Sequence, residues 1–409
     1  MSGQPSLRKE GYAALKKTVR DVDVEQKRVL MRVDFNVPFS PDGSIADDTR
    51  IRAVLPTIAY LREHGARVIL ASHLGRPDGK VVESLRLTAI AERLSDILGE
   101  PIATTTDCVG PEVEAAVAAL RPGDLLLLEN LRFHPEEEAN DPAFAQQLAR
   151  LADIYVNDAF GAAHRAHAST AGVAAYLPAV AGFLMIKEVD ELGNLLADPQ
   201  PPLAAILGGA KVSTKLAVLQ NLLPRVDILI LGGGIASTFL KAQGKSVAGS
   251  LVEDDFMKTA REVMSEAARR DIRLLLPVDV VVADAFAADA RRQTVSVDAV
   301  PDGWRIMDAG PDSLAAFRDA LSDAATVFWN GTLGVAEFPA FAKGSLALAQ
   351  TLAGLDAVVV VGGGETAALV EQAGLRDAYT HVSTGGGASL EFIEGRVLPG
   401  VATLQDKET

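Results

Sequence analysis

Short, continuous apolar runs recur along the chain, and almost every one stops at a polar or glycine-rich stretch. In the first half these runs cover 28–33, 67–71, 125–128 and 154–157. Helical spacing of apolar positions fills 53–63 and 88–98 between them, and 111–120 opens on Pro111 and stops at Pro122-Gly123, a start and a stop for a helix. The second half repeats the design with runs at 203–207, 228–231, 273–276, 326–329, 357–361 and 381–383. Strands buried on both faces read as unbroken apolar runs, and alternation with helices predicts parallel sheets covered on both sides. The expected fold is therefore α/β, with two doubly wound, Rossmann-like parallel-sheet domains.

A charged amphipathic stretch at 186–196, followed by the proline-rich Asp198-Pro-Gln-Pro-Pro202, is the natural join between them. The expected organisation is an N-terminal domain over 1–185, a hinge over 186–202, a C-terminal domain over 203–390 and a terminal segment over 391–409. The uncharged stretch 166–186 carries His167, Gly172, Pro178 and Gly182, which makes it a loop plus a buried helix and not a membrane span. A length of 409 residues agrees with two domains, because single cores stop growing near 250–300 residues.

Composition then narrows the function. A net charge of −15, spread evenly over both halves, disfavours nucleic acids and anionic membrane surfaces as partners, and 48% apolar residues exclude a disordered chain. The single cysteine, Cys108, forbids an intrachain disulfide and fits a reducing cytoplasm. The N-terminus shows no apolar core of a secretory signal.

In open α/β sheets ligands bind beyond the carboxyl ends of the strands, so the residues following each run are the informative ones. In the first half they are Asp34-Phe-Asn36, Ser72-His73-Leu-Gly-Arg76, Glu129-Asn-Leu-Arg132 and Asn157 through His167, with Arg50 in a polar loop nearby. A lone arginine at such a place is usually a surface ion-pair partner. Arg50, Arg76, Arg132 and Arg165 at one end of one sheet, with His73, His164 and His167, point instead to an anion, whose oxygens guanidinium groups grip bidentately. His134, in the glutamate-rich run 134–138, reads as a solvated helix start.

The second half places glycine there: Gly208-Gly-Ala-Lys211 with Lys215, Gly232-Gly-Gly234, Asn330 through Glu337, Gly362-Gly-Gly-Glu365 and Gly385-Gly-Gly387. Glycine lets backbone approach a ligand, and helix starts offer free N–H groups to phosphates. Lys211 and Lys215, four apart, would share a helix face. A Gly244-Lys-Ser246 tail lacks the glycine a P-loop needs at Phe239, and Gly362-x-Gly364-x-x-Ala367 lacks a ribose-binding acid some twenty residues on. No cysteine–histidine cluster with zinc spacing and no nucleophile elbow is visible. One anion site and one phosphate bed predict a kinase acting on a small acid, with Mg²⁺ and nucleotide.

These segments resemble phosphoglycerate kinases over essentially the whole chain, through Arg32-Val-Asp-Phe-Asn-Val-Pro38, His73-Leu-Gly-Arg-Pro77, Glu129-Asn-Leu-Arg-Phe133, Asn157 through Thr170, Gly208-Gly-Ala-Lys-Val-Ser213 and Ser383-Thr-Gly-Gly-Gly-Ala-Ser389. The resemblance implies reversible transfer between MgATP and 3-phosphoglycerate, giving ADP and 1,3-bisphosphoglycerate, by a monomer whose hinge closes two lobes. It implies that Asp34 and Asn36 hold the glycerate end. His73, Arg76, Arg132 and Arg165 would form the basic patch, with Arg50 beside the migrating phosphoryl. Lys215 and Lys211 would hold the nucleotide phosphates and the phosphoryl in flight, and Gly386 and Gly387 would aim a helix start at it. Gly209, Ala210, Gly233, Gly234, Asn330, Gly364, Thr366 and Ala367 would line the nucleotide, with Glu337 at the ribose. Glu365 would be the metal ligand, and the segment from Leu398 on would return to the first lobe.

The sequence departs from the family where the usual aspartate is Glu365, where a proline is lost in Trp329-Asn-Gly-Thr-Leu-Gly334, where Thr214 replaces an aspartate, and where Ile306 stands for a glycine near the base. A dinucleotide-dependent dehydrogenase is the alternative, and an inactive two-lobed binding protein a third; dependence on ATP and 3-phosphoglycerate in a coupled assay separates them.

Overall fold

The computed structural model describes residues 16–407. The stretch read as lacking a secretory signal falls largely on residues 1–15, and the terminal segment ends on 408–409; both lie outside the described residues. The chain forms two compact units, one ending at Gly193 but regaining the chain from Val397, the other running from Asn194 to Arg396.

The first unit is a six-stranded sheet in which every neighbouring pair is parallel. Its strands are β1 (Arg28–Arg32), β2 (Arg67–Ala71), β3 (Ala103–Thr104), β4 (Leu125–Leu127), β5 (Ile154–Asn157) and β6 (Ala179–Ala181), in the order β3-β4-β2-β1-β5-β6. Register runs Val29 against Val68 on one side and Ile154 on the other. Val29, Met31, Val68, Leu70 and Val156 bury one face of the sheet against Ile51, Ile58 and Leu61. Each such side chain contributes roughly 1.5–3 kcal/mol by leaving water.

The second unit is again built on a six-stranded parallel sheet, with a different strand order. Its strands are β7 (Leu203–Leu207), β8 (Ile228–Leu231), β9 (Arg273–Leu275), β10 (Asp279–Ala283), β11 (Arg292–Ser296), β12 (Arg305–Ala309), β13 (Thr326–Asn330), β14 (Val358–Gly362) and β15 (His381–Val382). The parallel sheet is ordered β15-β14-β13-β7-β8-β9, with Val327 opposite Ala204 and Ala204 opposite Ile228. β11-β10-β12 form a separate antiparallel sheet absent from the sequence reading. The fold class is thus α/β with two parallel six-stranded sheets.

Three local readings are corrected. The helix expected over 53–63 is two, Thr49–Ala53 and Leu55–Glu63, with Pro56 in the first turn of the second. The stretch 166–186 also contains β6 before the helix Phe183–Ala197 begins. Lys211 and Lys215 do not share a helix face, because the helix starts only at Leu216 and Lys215 is its N-cap residue. Among the described residues no helix is long and apolar enough to cross a membrane.

Candidate active site

Chain order reverses on either side of β1 in the first sheet, and between β7 and β13 in the second. Such switch points open a crevice beyond the strand ends. In the first unit the loops after β1, β2 and β4 are knotted together there by side chain to backbone hydrogen bonds. Asn36 Oδ1 accepts from Gly75 N at 2.9 Å, and Asn36 O accepts from Arg50 Nη1 at 2.8 Å. Arg132 Nη1 donates to Gly75 O at 2.8 Å. Asn130 donates to Leu74 O and Leu85 O and accepts from Leu74 N and Arg132 N, clamping the β4 loop to the β2 loop.

Charge inside this knot is unbalanced. Asp34 takes Arg50 Nη1 at 3.3 Å, and Arg132 is only 4% exposed, its Nε 3.3 Å from Glu138 Oε1 without hydrogen-bond alignment. Burial pulls the Arg132 guanidinium below its ordinary pKa. His73 is held far below the ordinary histidine range by its own burial and by Arg32, Arg132, Arg165 and Arg50 around it. Arg32 Nη2 sits 3.1 Å from His73 Nδ1. Arginine can only donate, so Nδ1 accepts and the neutral ring carries its proton on Nε2. His167 is lowered to about 4 by burial and by Arg132, Arg32 and Arg165. A buried, partly orphaned positive field is the arrangement an anion completes.

Arg32 escapes the sequence pattern because it lies inside an apolar strand run, although a charge in such a run is itself the available signal. It is 1% exposed, and Nε donates to Ser169 Oγ at 2.8 Å. Ser169 in turn donates to Glu137, whose carboxylate accepts both its hydroxyl and its N–H. The run 134–138 is therefore not a solvated helix start: Glu137 is fully buried, and burial raises its pKa. His134 is paired with Asp107 at 2.6 Å. Arg165 donates to His164 Nε2 at 3.2 Å, and Arg76 stands exposed beside Gly75.

The second unit builds its strand ends from main chain. Gly208 N donates to Asn330 O, Gly209 N to Thr332 O and Gly233 N to Leu333 O. A Cβ on Gly234 would collide with the backbone of Ala210, and one on Gly208 with that of Thr332. Open space faces Gly209, Gly364 and Gly386, a cradle that added side chains would fill. Gly233 and Gly386 take φ of +62° and +52°, which favours glycine. Asn330, fully buried, accepts from Lys215 Nζ and donates to Gly362 O at 2.6 Å. Burial lowers the Lys215 pKa against the opposing pull of Glu365 and Glu394. Thr366 spends its hydroxyl on Gly331 N at 2.7 Å, and Ala367 is half-buried on the same helix. Gly386 and Gly387 open the helix Gly387–Ile393. Lys211, Glu337 and Glu365 are exposed.

Anions of two kinds are thereby provided for, and the class of protein that needs both is a phosphotransferase working between a nucleotide and a small acid. The family model described as phosphoglycerate kinase matches residues 19–396. The phosphoglycerate kinase of Moorella thermoacetica is 59% identical over 392 residues, covering 96% of this chain and all of that one. That of Synechococcus elongatus is 60% identical over 388 residues, covering 94% and 96%. The solved phosphoglycerate kinase of Coxiella burnetii superposes with a TM-score of 0.85 at 44% identity, covering 95% of this chain and 98% of that one. The chain belongs to the phosphoglycerate kinase family. It is a kinase that moves a phosphoryl group between MgATP and 3-phosphoglycerate, and the dehydrogenase reading is set aside.

Proposed function

We propose that the first unit holds 3-phosphoglycerate and the second the nucleotide, with the boundaries expected above. The observation that carries this is the ring of Arg32, Arg50, Arg132 and Arg165 around a histidine kept neutral. Neutral His73 adds no repulsion of its own and offers Nε2–H to an acceptor. Arg132 and Arg165, with Arg76 at the rim, grip the 3-phosphate; Asp34 and Asn36 orient the glycerate hydroxyl and carboxylate. Arg50, already fixed by Asn36 and Asp34, faces the carboxyl oxygen that exchanges the phosphoryl group.

In the second unit Lys215 and Lys211 compensate the phosphate charge, and the backbone of Gly209, Ala210, Gly233 and Gly234 accepts the nucleotide at close range. Asn330, Gly364, Thr366 and Ala367 complete that wall, and Glu337 serves the ribose. Gly386 and Gly387 present the N–H groups of a helix start to the moving phosphoryl. A magnesium ion is usually held by one or two carboxylates together with substrate phosphates, and exposed Glu365, beside Lys215 and open glycine, fits that requirement. Held there by Glu365, such an ion would supply positive charge against that of the phosphates. The carboxylate oxygen attacks in line, no covalent enzyme intermediate forms, and the residues act by positioning and by field. The helix Phe183–Ala197, which runs from one unit into the other, is assigned the hinge. The enzyme acts as a monomer in the cytoplasm, on small molecules and not on nucleic acid.

NADH oxidation through added glyceraldehyde-3-phosphate dehydrogenase tests the assignment. Arg132→Ala is expected to raise the KM for 3-phosphoglycerate at least tenfold and leave that for ATP within twofold, by roughly the energy of one charge-assisted contact. Equal effects on both substrates would refute the division of labour.

A further inference from the structure

Outside the strand-end sites one cluster combines sulfur, imidazole and carboxylate. Asp107 and Cys108 lie in the loop after β3, and His134 precedes the short helix Pro135–Glu138. Their ligand atoms all fall within 4.8 Å of one another, the one such grouping among the described residues. We propose that Asp107, Cys108 and His134 bind a thiophilic divalent metal ion of the zinc class, at a site separate from the one that handles nucleotide.

The geometry is nearly in place. Zinc bonds of about 2.0–2.3 Å would set ligands roughly 3.3–3.8 Å apart, which small side-chain rotations reach. Today hydrogens occupy the centre: His134 Nε2 meets Asp107 Oδ1 at 2.6 Å, Cys108 N donates to the same oxygen at 2.6 Å, and the thiol bonds to the Asp107 carboxylate. The frame is fixed from behind. Asp107 O accepts from Thr105 Oγ1 at 2.6 Å and from Glu129 N at 3.4 Å, and the His134 ring stacks on Phe144 at 5.1 Å. Such outer contacts orient ligands before a metal arrives. Cys108 is fully buried, whereas the His134 and Asp107 side chains are 28% and 50% exposed, so an ion enters from their side and keeps a water as fourth ligand.

Charge points the same way. The Asp107 and Glu137 carboxylates both act electrostatically on the Cys108 thiol. The carboxylates that oppose a thiolate attract a dication. A sulfur–nitrogen–oxygen set favours zinc over magnesium, which takes oxygen ligands. Binding forms the sulfur–metal bond as the S–H bond breaks and its proton leaves to solvent, and it requires the His134 Nε2 lone pair to be free.

The test uses the full chain, first stripped with chelator. Cobalt(II) is expected to give a near-ultraviolet thiolate charge-transfer band that zinc abolishes and that Cys108→Ser lacks. Calorimetry with zinc is expected to show one ion per chain and affinity at least tenfold weaker in His134→Gln. A missing charge-transfer band in the parent protein overturns the proposal. So does unchanged zinc affinity in His134→Gln, which decides the matter alone if Cys108→Ser does not fold.

Discussion

The two units are each built on a parallel six-stranded sheet, strung in different strand orders, and they line their strand ends by opposite means. In the first, long cationic side chains reach back from strand ends and are trussed to neighbouring loops by Asn36, Asn130 and Gly75. In the second, the strand ends are main chain against main chain, and lysine is the only cation type the assignment uses there. Side-chain recognition is graded: one arm can be removed while the others stay. Backbone recognition is close to all-or-none, because a single methyl displaces two loops at once.

The largest break in that comparison is Arg50→Ala. It should lower kcat about 100- to 1000-fold with the fold intact, as loss of one donor aimed at developing charge does elsewhere. Steady-state kinetics beside a thermal melt check it, and a mild loss would remove Arg50 from the chemistry. Next comes Gly234→Ala, whose methyl would press on the Ala210 backbone. It should cost about 1–3 kcal/mol of stability and weaken nucleotide binding while 3-phosphoglycerate binding persists. Chemical denaturation and calorimetry read both.

A smaller effect compares one buried acid from each unit. Burial raises Asp158 and Asp308 to about 7. A folded-state pKa above the ordinary aspartate value of 3.8 means that the folded state binds the proton more tightly. Each acid therefore contributes stability that is complete below about 4 and lost as pH climbs to about 7. Asp158→Asn and Asp308→Asn should each flatten the fall of Tm between those limits, and an unchanged slope would mean the acids ionise freely. Smallest is Glu365→Asp, expected to keep or improve turnover with Mg²⁺; complete inactivation would mean the metal site has been rebuilt around glutamate.

The contrast between units also explains what the sequence disclosed. Parallel strands such as Leu203–Leu207 and Ile228–Leu231 are buried along their whole length and cannot hide in the pattern. The antiparallel sheet could, because Arg292–Ser296 is almost wholly exposed and polar, and β3 is two exposed residues. Loop arginines were legible because each follows the end of an apolar strand run and does not lie inside one. Arg32 and Glu137 were not: a strand run masks the first, and three neighbouring glutamates give no sign that the middle one points inward. The lysine pair misled because a four-residue spacing means one helix face only if the helix has begun.

The return of the chain to its first unit has a consequence for how the molecule is made. Asp406 bridges to Lys16, Gly400 N donates to Ala163 O, and Gln405 N donates to Ala179 O beside the last strand of the first sheet. On the ribosome these residues emerge only after all of Asn194–Arg396 has been synthesised. The amino-terminal sheet, although translated first, gains these contacts only after the second unit, one uninterrupted stretch, has left the ribosome. Order of synthesis and order of completion are thereby inverted between the two units.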